Sequence, residues 1–154
     1  MALADLLQQD AIIPTLRVNS KKQLLQELAA RASKLTSIPE REIFDVILQR
    51  ERLGSTGVGH GVAIPHGKLN SISSIVGVFA RLETPVDFEA LDDQPVDLAF
   101  LLLAPEGAGA DHLKALSRIA RVFRDHDLVA KLRATDSAQA IYTFLNEDQT
   151  TNAA

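Results

Sequence analysis

The sequence predicts a single α/β domain in which helices cover both faces of a central sheet. Residues 75–82 and 96–104 form two largely apolar runs, which is typical of strands that are buried on both faces. Segments with helical periodicity precede and follow these runs, as they do in α/β domains. A chain of 154 residues is also long enough to bury one core without disulfides or structural metals.

Helical signals dominate the first third of the chain. Residues 3–9 favour a short helix, and residues 12–18 favour an extended segment that contains Pro14. Ser20 is a suitable N-cap for a helix that continues through Leu35. The apolar residues of this helix recur at helical spacing: Leu24, Leu25, Leu28, Ala29, Ala32 and Leu35.

A second helix is predicted directly afterwards. Residues 37–40, Ser-Ile-Pro-Glu, have the pattern of a capping box with proline in the first helical turn. Gly54 is a natural end for this helix. Its predicted apolar face is made of Ile43, Phe44, Ile47 and Leu48.

Strands and turns alternate in the middle of the chain. A brief strand is expected at residues 62–64, because this stretch is short, apolar and rich in β-branched residues. Two turns are expected between the long apolar runs, at residues 84–88 and at residues 92–95. A glycine-rich loop at residues 105–110 follows the second run.

Helices are predicted for the rest of the chain. The first begins near Asp111, and two more are expected at residues 127–134 and 137–145. The polar end, residues 146–154, is expected to fray. The apolar stripe predicted for the first of these helices is Leu113, Leu116, Ile119, Ala120 and Phe123.

Composition excludes several classes of function. The net charge is −4 and no basic cluster stands out, which argues against nucleic acid as the main partner. Cysteine is absent, so disulfides and thiolate metal sites are excluded. No apolar run is long enough to span a bilayer, and the first residues lack the basic and apolar regions of a signal peptide. We therefore expect a cytoplasmic protein without membrane insertion.

The stretch 54–68 carries the strongest functional signal. Its five glycines require sharp turns or a close approach of the backbone to another group. Pro65 fixes its own φ and biases Ile64 towards an extended conformation, so His66 lies on a stiff support. The missing side chain at Gly67 predicts open space beside the imidazole. A neutral imidazole is a nucleophile near neutral pH, which indicates a reactive histidine, whereas the alternative is a surface histidine without a role.

Two other side chains are candidates for the same site. Helical geometry places Arg50 at the edge of the apolar face, towards the glycine-rich stretch, and Arg52 nearly opposite, facing water. The alternative for Arg50 is a surface salt bridge with Glu51 or Glu42. His112 lies in a first helical turn, where the positive helix end disfavours imidazolium and favours a nearby anion. Its alternative is a partly buried packing role.

The motif Gly61-Val-Ala-Ile-Pro-His66-Gly resembles the phosphoacceptor motif of the mannitol/fructose-type enzyme IIA family of the bacterial phosphotransferase system. Residues 50–69 are similar to the nitrogen-related branch of that family, and the resemblance extends to residues 82–88 and 94–98. It implies one domain over residues 1–148 with a mixed central β-sheet flanked by helices on both faces. Residues 149–154 would then form a polar C-terminal tail.

The resemblance also implies the chemistry. His66 would accept a phosphoryl group from a phosphohistidine carrier protein, with Arg50 and His112 as supporting active-site residues. No cofactor or metal is implied. Ser55, Thr56 and Gly67 could add support through hydroxyl or backbone N–H donors to the phosphoryl oxygens, although a simple turn is an equal alternative for the two hydroxyl residues.

The resemblance leaves the role of the phosphoryl group open. No second phosphotransferase domain or membrane segment is found in the chain, and the motif matches the nitrogen branch, so we expect a regulator of proteins such as transporters or sensor kinases. The alternatives are a stand-alone enzyme IIA component of fructose or mannitol transport, and a binding module that acts mainly unphosphorylated. Lys68 could attract an anion or be solvated, and the solvated alternative is favoured.

Two unrelated enzyme classes are disfavoured. A kinase or ATPase would need a Gly-x-x-x-x-Gly-Lys-Ser/Thr loop, which the sequence lacks. A zinc hydrolase would need clustered ligands, but His60 and His66 would lie roughly 20 Å apart on a continuous strand, and no His-Glu-x-x-His motif is present. His60 itself departs from the nitrogen branch, where a small polar residue such as asparagine is more usual. It either tunes the site or is an exposed loop residue.

Overall fold

The computed structural model of the protein describes the backbone of residues 3–153, with the side chains of residue 3 and residues 5–146. Within these residues the chain forms six strands: β1 Ile12–Leu16, β2 Gly57–Gly59, β3 Val62–Ala63, β4 His66–Leu69, β5 Val76–Val86 and β6 Val96–Pro105. It also forms five α-helices: α1 Lys21–Thr36, α2 Glu40–Arg52, α3 Ala110–Val122, α4 His126–Arg133 and α5 Ala138–Ala153. Two single-turn 3-10 helices, Leu3–Asp5 and Gln9–Ala11, precede β1.

The six strands form one mixed sheet. Its order is β1-β5-β6-β3-β2, and β4 pairs with β6 beyond the end of β3. β5 and β6 are antiparallel, whereas β1 pairs with β5, and both β3 and β4 pair with β6, in parallel. The mixed central sheet implied by the resemblance is confirmed.

β6 is the most buried strand of the sheet. Every residue from Leu98 to Ala104 is fully buried, so both faces of the strand are covered. Phe79 of β5 is the register partner of Phe100 of β6. The ring of Phe123, which follows α3, stacks on the ring of Phe79 with the ring centroids 5.9 Å apart. A strand that is covered on both faces needs a nearly continuous apolar run. The prediction of a sheet covered on both sides is therefore confirmed.

The ends of α1 show one correct and one wrong prediction of helix caps. Ser20 caps α1 as predicted, because its hydroxyl accepts a hydrogen bond from the Gln23 N–H at 3.1 Å. The capping box predicted at residues 37–40 is wrong. Ser37 ends α1 instead, with a φ of 64° and its N–H donated to the Ser33 carbonyl at 2.8 Å. α2 then begins after Pro39, which offers no side-chain cap.

The N-terminal segment also differs from its prediction. The single helix expected at residues 3–9 is replaced by the two 3-10 helices. The Leu6 carbonyl accepts a hydrogen bond from the Gly77 N–H at 2.7 Å. This hydrogen bond joins the segment between the two 3-10 helices to the start of β5.

Later in the chain, the boundaries of other elements also differ from their predictions. Residues 84–86, predicted as part of a turn, belong to β5, and Val86 is the register partner of Val96. α5 continues to Ala153, past the predicted end at residue 145. Leu113, predicted in the apolar stripe of α3, is 67% exposed. None of the helices within residues 3–153 is long and apolar enough to cross a membrane.

Candidate functional site

The glycine-rich stretch folds as a hairpin followed by a third short strand. β2 and β3 pair in an antiparallel hairpin, and the turn residues His60 and Gly61 have φ values of 56° and 80°. Two positive φ values are what a tight hairpin turn requires, which explains the glycine at position 61. β3 and β4 then run along the same edge of β6, so His66 starts a strand and is the register partner of Leu102. The sequence predicted only the strand at residues 62–64.

Two hydrogen bonds fix the imidazole of His66. Its Nδ1 lies 2.9 Å from the Ile64 carbonyl oxygen, and its Nε2 lies 3.2 Å from Nε of Arg50. A carbonyl can only accept, so the proton of the neutral ring is on Nδ1. Nε2 therefore carries the lone pair and accepts the hydrogen bond from Arg50. This tautomer presents Nε2 as the nucleophilic atom.

Arg50 reaches His66 from the last turn of α2. Its Nη1 also donates to the Gly54 carbonyl at 3.0 Å, which holds the guanidinium over the start of the glycine-rich stretch. Arg52, two positions later, is exposed. The helical geometry predicted from the sequence therefore places both arginines correctly. α2 can approach this closely because residue 67 is glycine.

Gly67 has a different role from the one predicted. A Cβ atom at this position would lie 2.5 Å from Cγ1 of Val46 and 3.6 Å from Cγ2 of Ile47. The space beside the backbone is therefore filled by α2, and it is not open to a partner. Because the missing side chain lets α2 pack on β4, glycine at position 67 helps to bring Arg50 to His66.

His112 faces His66 from the first turn of α3. The two imidazole rings lie edge to face, with centroids 5.7 Å apart and an interplanar angle of 75°. The side chain of His112 is buried. Its Nε2 is a buried nitrogen without a hydrogen-bond partner among the described residues. A buried polar atom without a partner is costly, which marks it as a group available to a ligand.

Both histidines favour the neutral form. Burial lowers the pKa of His66 below its ordinary value of 6.5; the Ile64 carbonyl opposes this, and the positive charge of Arg50 lowers the pKa further. Burial also lowers the pKa of His112, assisted by His66 and Lys68. A neutral His66 retains the lone pair on Nε2, so its reactive form prevails at neutral pH.

The lowered pKa of His66 predicts the pH dependence of its reactivity. Only the unprotonated ring has a lone pair on Nε2, so reactivity should be constant near neutral pH and should fall as the pH drops through a value below about 6.5. An NMR titration of the folded protein should give this value directly, and the urea-unfolded chain provides the reference. A midpoint for His66 at or above that of the unfolded chain would contradict the prediction.

Ser55 and Thr56 do not contact the imidazole of His66. The Ser55 hydroxyl donates to the Phe88 carbonyl at 3.1 Å and accepts from the Gly57 N–H at 3.1 Å. The Thr56 hydroxyl and the Thr56 N–H both donate to the carboxylate of Glu51, the latter at 3.1 Å. These contacts belong to a turn, which the sequence analysis gave as the alternative to phosphoryl binding for these two residues.

Glu51 is a residue that sequence reasoning missed. The sequence suggested at most a surface salt bridge, but the side chain is only 2% exposed and pairs with Nζ of Lys21 at 3.0 Å. With the two hydrogen bonds from Thr56, this ion pair fixes the end of α2 to the start of α1 and to the loop that leads to β2. The spacing gave a usable signal, because Glu51 follows the buried Ile47 by four residues and so lies on the same helical face.

The ion pair predicts the effect of removing its cation. Replacing Lys21 with methionine should lower the free energy of unfolding by about 2 kcal/mol, because the buried carboxylate of Glu51 loses its counterion. We expect less than the full cost of a buried pair, since Lys21 is 18% exposed and water can partly replace it. Urea unfolding of Lys21→Met and of the control Lys22→Met, at an exposed position, measures the difference. Equal stability of the two variants would contradict the prediction.

The remaining histidine in the glycine-rich stretch lies at the tip of the hairpin. The His60 N–H donates to Asp92 at 3.0 Å, its carbonyl accepts from Arg133, and its ring lies 5.6 Å from that of His126. Arg133 in turn pairs with Asp97 at 2.9 Å. These contacts support the alternative of an exposed loop residue. Among the side chains described, no three His, Cys, Asp or Glu residues form a group that could hold a metal ion.

A surface depression of about 530 Å³ joins the candidate residues. It brings together His66, Arg50 and His112, and it also contains Lys68. One exposed apolar side chain lines the depression: Leu53, which is 84% exposed. The remaining lining residues are Val46, Gln49 and Gly67. The arrangement combines a nucleophilic nitrogen and a guanidinium at a surface depression with a buried, unpaired imidazole nitrogen beside them, which suits transfer of an anionic group.

Comparison with known proteins agrees with this geometry. Residues 5–148 match the profile of the family described as "Phosphoenolpyruvate-dependent sugar phosphotransferase system, EIIA 2". The chain is 65% identical over 145 residues to the "Nitrogen regulatory protein" of Bradyrhizobium diazoefficiens, covering 94% of this chain and 95% of that protein. It is 40% identical over 152 residues to the "Nitrogen regulatory protein" of Escherichia coli (strain K12), covering 98% and 93%.

A solved structure gives the same result. The crystal structure of nitrogen regulatory protein IIA-Ntr from Neisseria meningitidis has a TM-score of 0.88 and 36% identity, covering 93% of this chain and 98% of that one. Mannitol IIA from Escherichia coli has a TM-score of 0.77 at 18% identity, which shows a shared fold. The family profile and the close relatives span nearly the whole chain. The chain therefore belongs to the EIIA 2 family of the phosphoenolpyruvate-dependent sugar phosphotransferase system.

Proposed function

We propose that the protein accepts a phosphoryl group on Nε2 of His66 from a phosphohistidine carrier protein. The observation that supports this most directly is the fixed tautomer of His66, with Nδ1–H on the Ile64 carbonyl and the lone pair on Nε2. Phosphoryl transfer requires mainly positioning and charge neutralisation from the protein. The depression around His66 offers both.

The transfer step follows from these contacts. Nε2 attacks the phosphorus atom while the bond between phosphorus and the carrier histidine breaks, and the carrier nitrogen keeps the electron pair. The Nδ1 proton remains on His66, where the Ile64 carbonyl stabilises the positive charge that develops on the ring. Arg50 then donates to a phosphoryl oxygen instead of Nε2. His112 donates through its otherwise unpaired Nε2, without a change of its charge.

We further propose that the phosphorylated and unphosphorylated forms regulate different sets of cytoplasmic partner proteins, such as transporters or sensor kinases. Support comes from the 65% identical relative, which is named "Nitrogen regulatory protein". The exposed Leu53 at the depression would let a protein partner cover the histidine. A phosphoryl group adds nearly two negative charges there near neutral pH, so such a partner would distinguish the two forms.

The test of the proposed function reconstitutes the transfer of a phosphoryl group from phosphoenolpyruvate to this protein. The protein is incubated with phosphoenolpyruvate, enzyme I and a carrier protein, once with a sugar-type carrier and once with a nitrogen-type carrier, and in parallel with ATP alone. We expect an acid-labile, alkali-stable label at Nε2 of His66 in the relay reactions, identified by 31P NMR. Faster labelling by the nitrogen-type carrier supports the regulator over the transport component. Labelling by ATP alone, or no labelling by either carrier, would overturn the proposal.

A further inference from the structure

We propose that Lys68 is an additional phosphoryl-binding residue, whose ammonium group binds the oxygens of a phosphoryl group on Nε2 of His66. This inference rests on the function proposed above and adds a residue to the same site. The sequence predicted a solvated lysine at this position. Three observations support a role in the site: where the side chain lies, its lack of other partners, and the charge balance around His66.

Strand geometry places Lys68 beside His66. Successive side chains of a strand point to opposite faces, so His66 and Lys68 share one face of β4, while Gly67 faces α2. Two residues of a strand span about 6.6 Å, which the four-carbon stem of a lysine can cover. Lys68 lines the same depression as His66 and His112. Its positive charge also contributes to the lowered pKa of His112.

The ammonium group of Lys68 is free for a ligand. Among the described residues its side chain makes no hydrogen bond or ion pair. The other cations near His66 are already engaged, because Arg50 donates to His66 and Gly54, and Lys21 pairs with Glu51. Lys68 is therefore the cation of the depression that can turn to an incoming anion without giving up a partner.

The charge balance shows where a further cation would act. A phosphoryl group on histidine carries nearly two negative charges near neutral pH. The ring of His66 keeps its Nδ1 proton, and the positive charge that it gains is directed at the Ile64 carbonyl, away from Nε2. Glu51 and Lys21 cancel each other and His112 is neutral, so the cation that contacts Nε2 itself is Arg50. Lys68 would be a second cation at the phosphoryl oxygens, and no proton moves to or from it during transfer.

The test measures the equilibrium of phosphoryl exchange between the carrier and this protein. Three variants are compared with the unmodified protein: Lys68→Gln removes the charge, Lys68→Arg keeps it, and Lys114→Gln removes a charge from the exposed side of α3. We expect Lys68→Gln to shift the equilibrium about tenfold towards the phosphorylated carrier, because the phosphorylated form loses a charge-assisted hydrogen bond. Lys68→Arg and Lys114→Gln should stay within about threefold of the unmodified protein. The pKa of His112, followed by NMR, should rise only in Lys68→Gln.

The equilibrium separates phosphoryl binding from other roles. If Lys68 only docked the carrier, its loss would slow transfer in both directions and leave the equilibrium unchanged, which would overturn the inference. An equal shift in Lys68→Gln and Lys68→Arg would also overturn it, since the charge would not be the cause. Both results leave the proposed function intact as long as the unmodified protein is labelled on His66. Failure to label the unmodified protein would instead remove the proposed function itself.

Discussion

A His66→Ala protein is expected to take up no phosphoryl group from the phosphorylated carrier. The variant lacks the Nε2 lone pair, and the structure offers no second nucleophile in the same position: His112 is held 5.7 Å away, ring centroid to ring centroid, on another element. The measurement is the amount of label after incubation with phosphoenolpyruvate, enzyme I and the carrier. Since labelling of the unmodified protein should be complete, this is the largest effect we predict.

The matched control is His60→Ala. His60 is an exposed histidine of the same glycine-rich stretch, at the tip of the hairpin, and it does not line the depression. The control protein should be labelled normally. Circular dichroism and urea unfolding establish that both variants are folded. Full labelling of a folded His66→Ala protein would show that another residue is the acceptor.

Arg50→Ala should slow phosphoryl transfer about 100-fold or more without unfolding the protein. The guanidinium of Arg50 contacts Nε2, and removal of a donor that stabilises developing charge commonly has a cost of this size. Single-turnover transfer from the phosphorylated carrier measures the rate. Arg50→Lys should recover part of it, because an ammonium keeps the charge but loses the planar fork.

Arg52→Ala provides the control for this experiment. Arg52 lies on the same helical turn, but its side chain is exposed and points away from the depression. Its rate should remain close to that of the unmodified protein. A strong defect in Arg52→Ala with a normal rate in Arg50→Ala would mean that the end of α2 is turned differently during transfer. His112→Ala should resemble Arg50→Ala in direction, because it also removes a donor to the phosphoryl oxygens.

The parts of the fold that could be predicted are those fixed by local patterns. The apolar runs of β5 and β6 could be recognised because strands that are buried on both faces need them. The buried stripe of α1 could be recognised because its apolar residues recur at helical spacing. The position of Arg50 followed from the same geometry, since the angle between residues of one helix does not depend on the rest of the chain. The candidate acceptor His66 was marked by Pro65 and by the family motif.

The misses involve contacts that periodicity does not encode. Thr56 was a candidate for phosphoryl support, with a simple turn as an equal alternative, and a buried carboxylate on α2 takes both of its donors. Ser37 was assigned to the start of α2 because a short polar residue serves either end of a helix, and only the structure shows which. Gly67 was explained by space for a partner, whereas the space is needed by Val46. Periodicity within one segment gives no information about such neighbours.

The pairing of β4 with the most buried strand has a consequence for the kinetics of encounter. The backbone on both sides of His66 is bonded to β6: the Pro65 carbonyl accepts from the Leu102 N–H at 2.9 Å, and His66 to Leu69 stay in register with Leu102 to Pro105. Local opening of this segment would require separation from the core, so its amides should exchange slowly with solvent. A carrier protein of the kind proposed would therefore meet a histidine that is already ordered. Little conformational entropy would be lost on docking, and no ordering step would slow the formation of the complex.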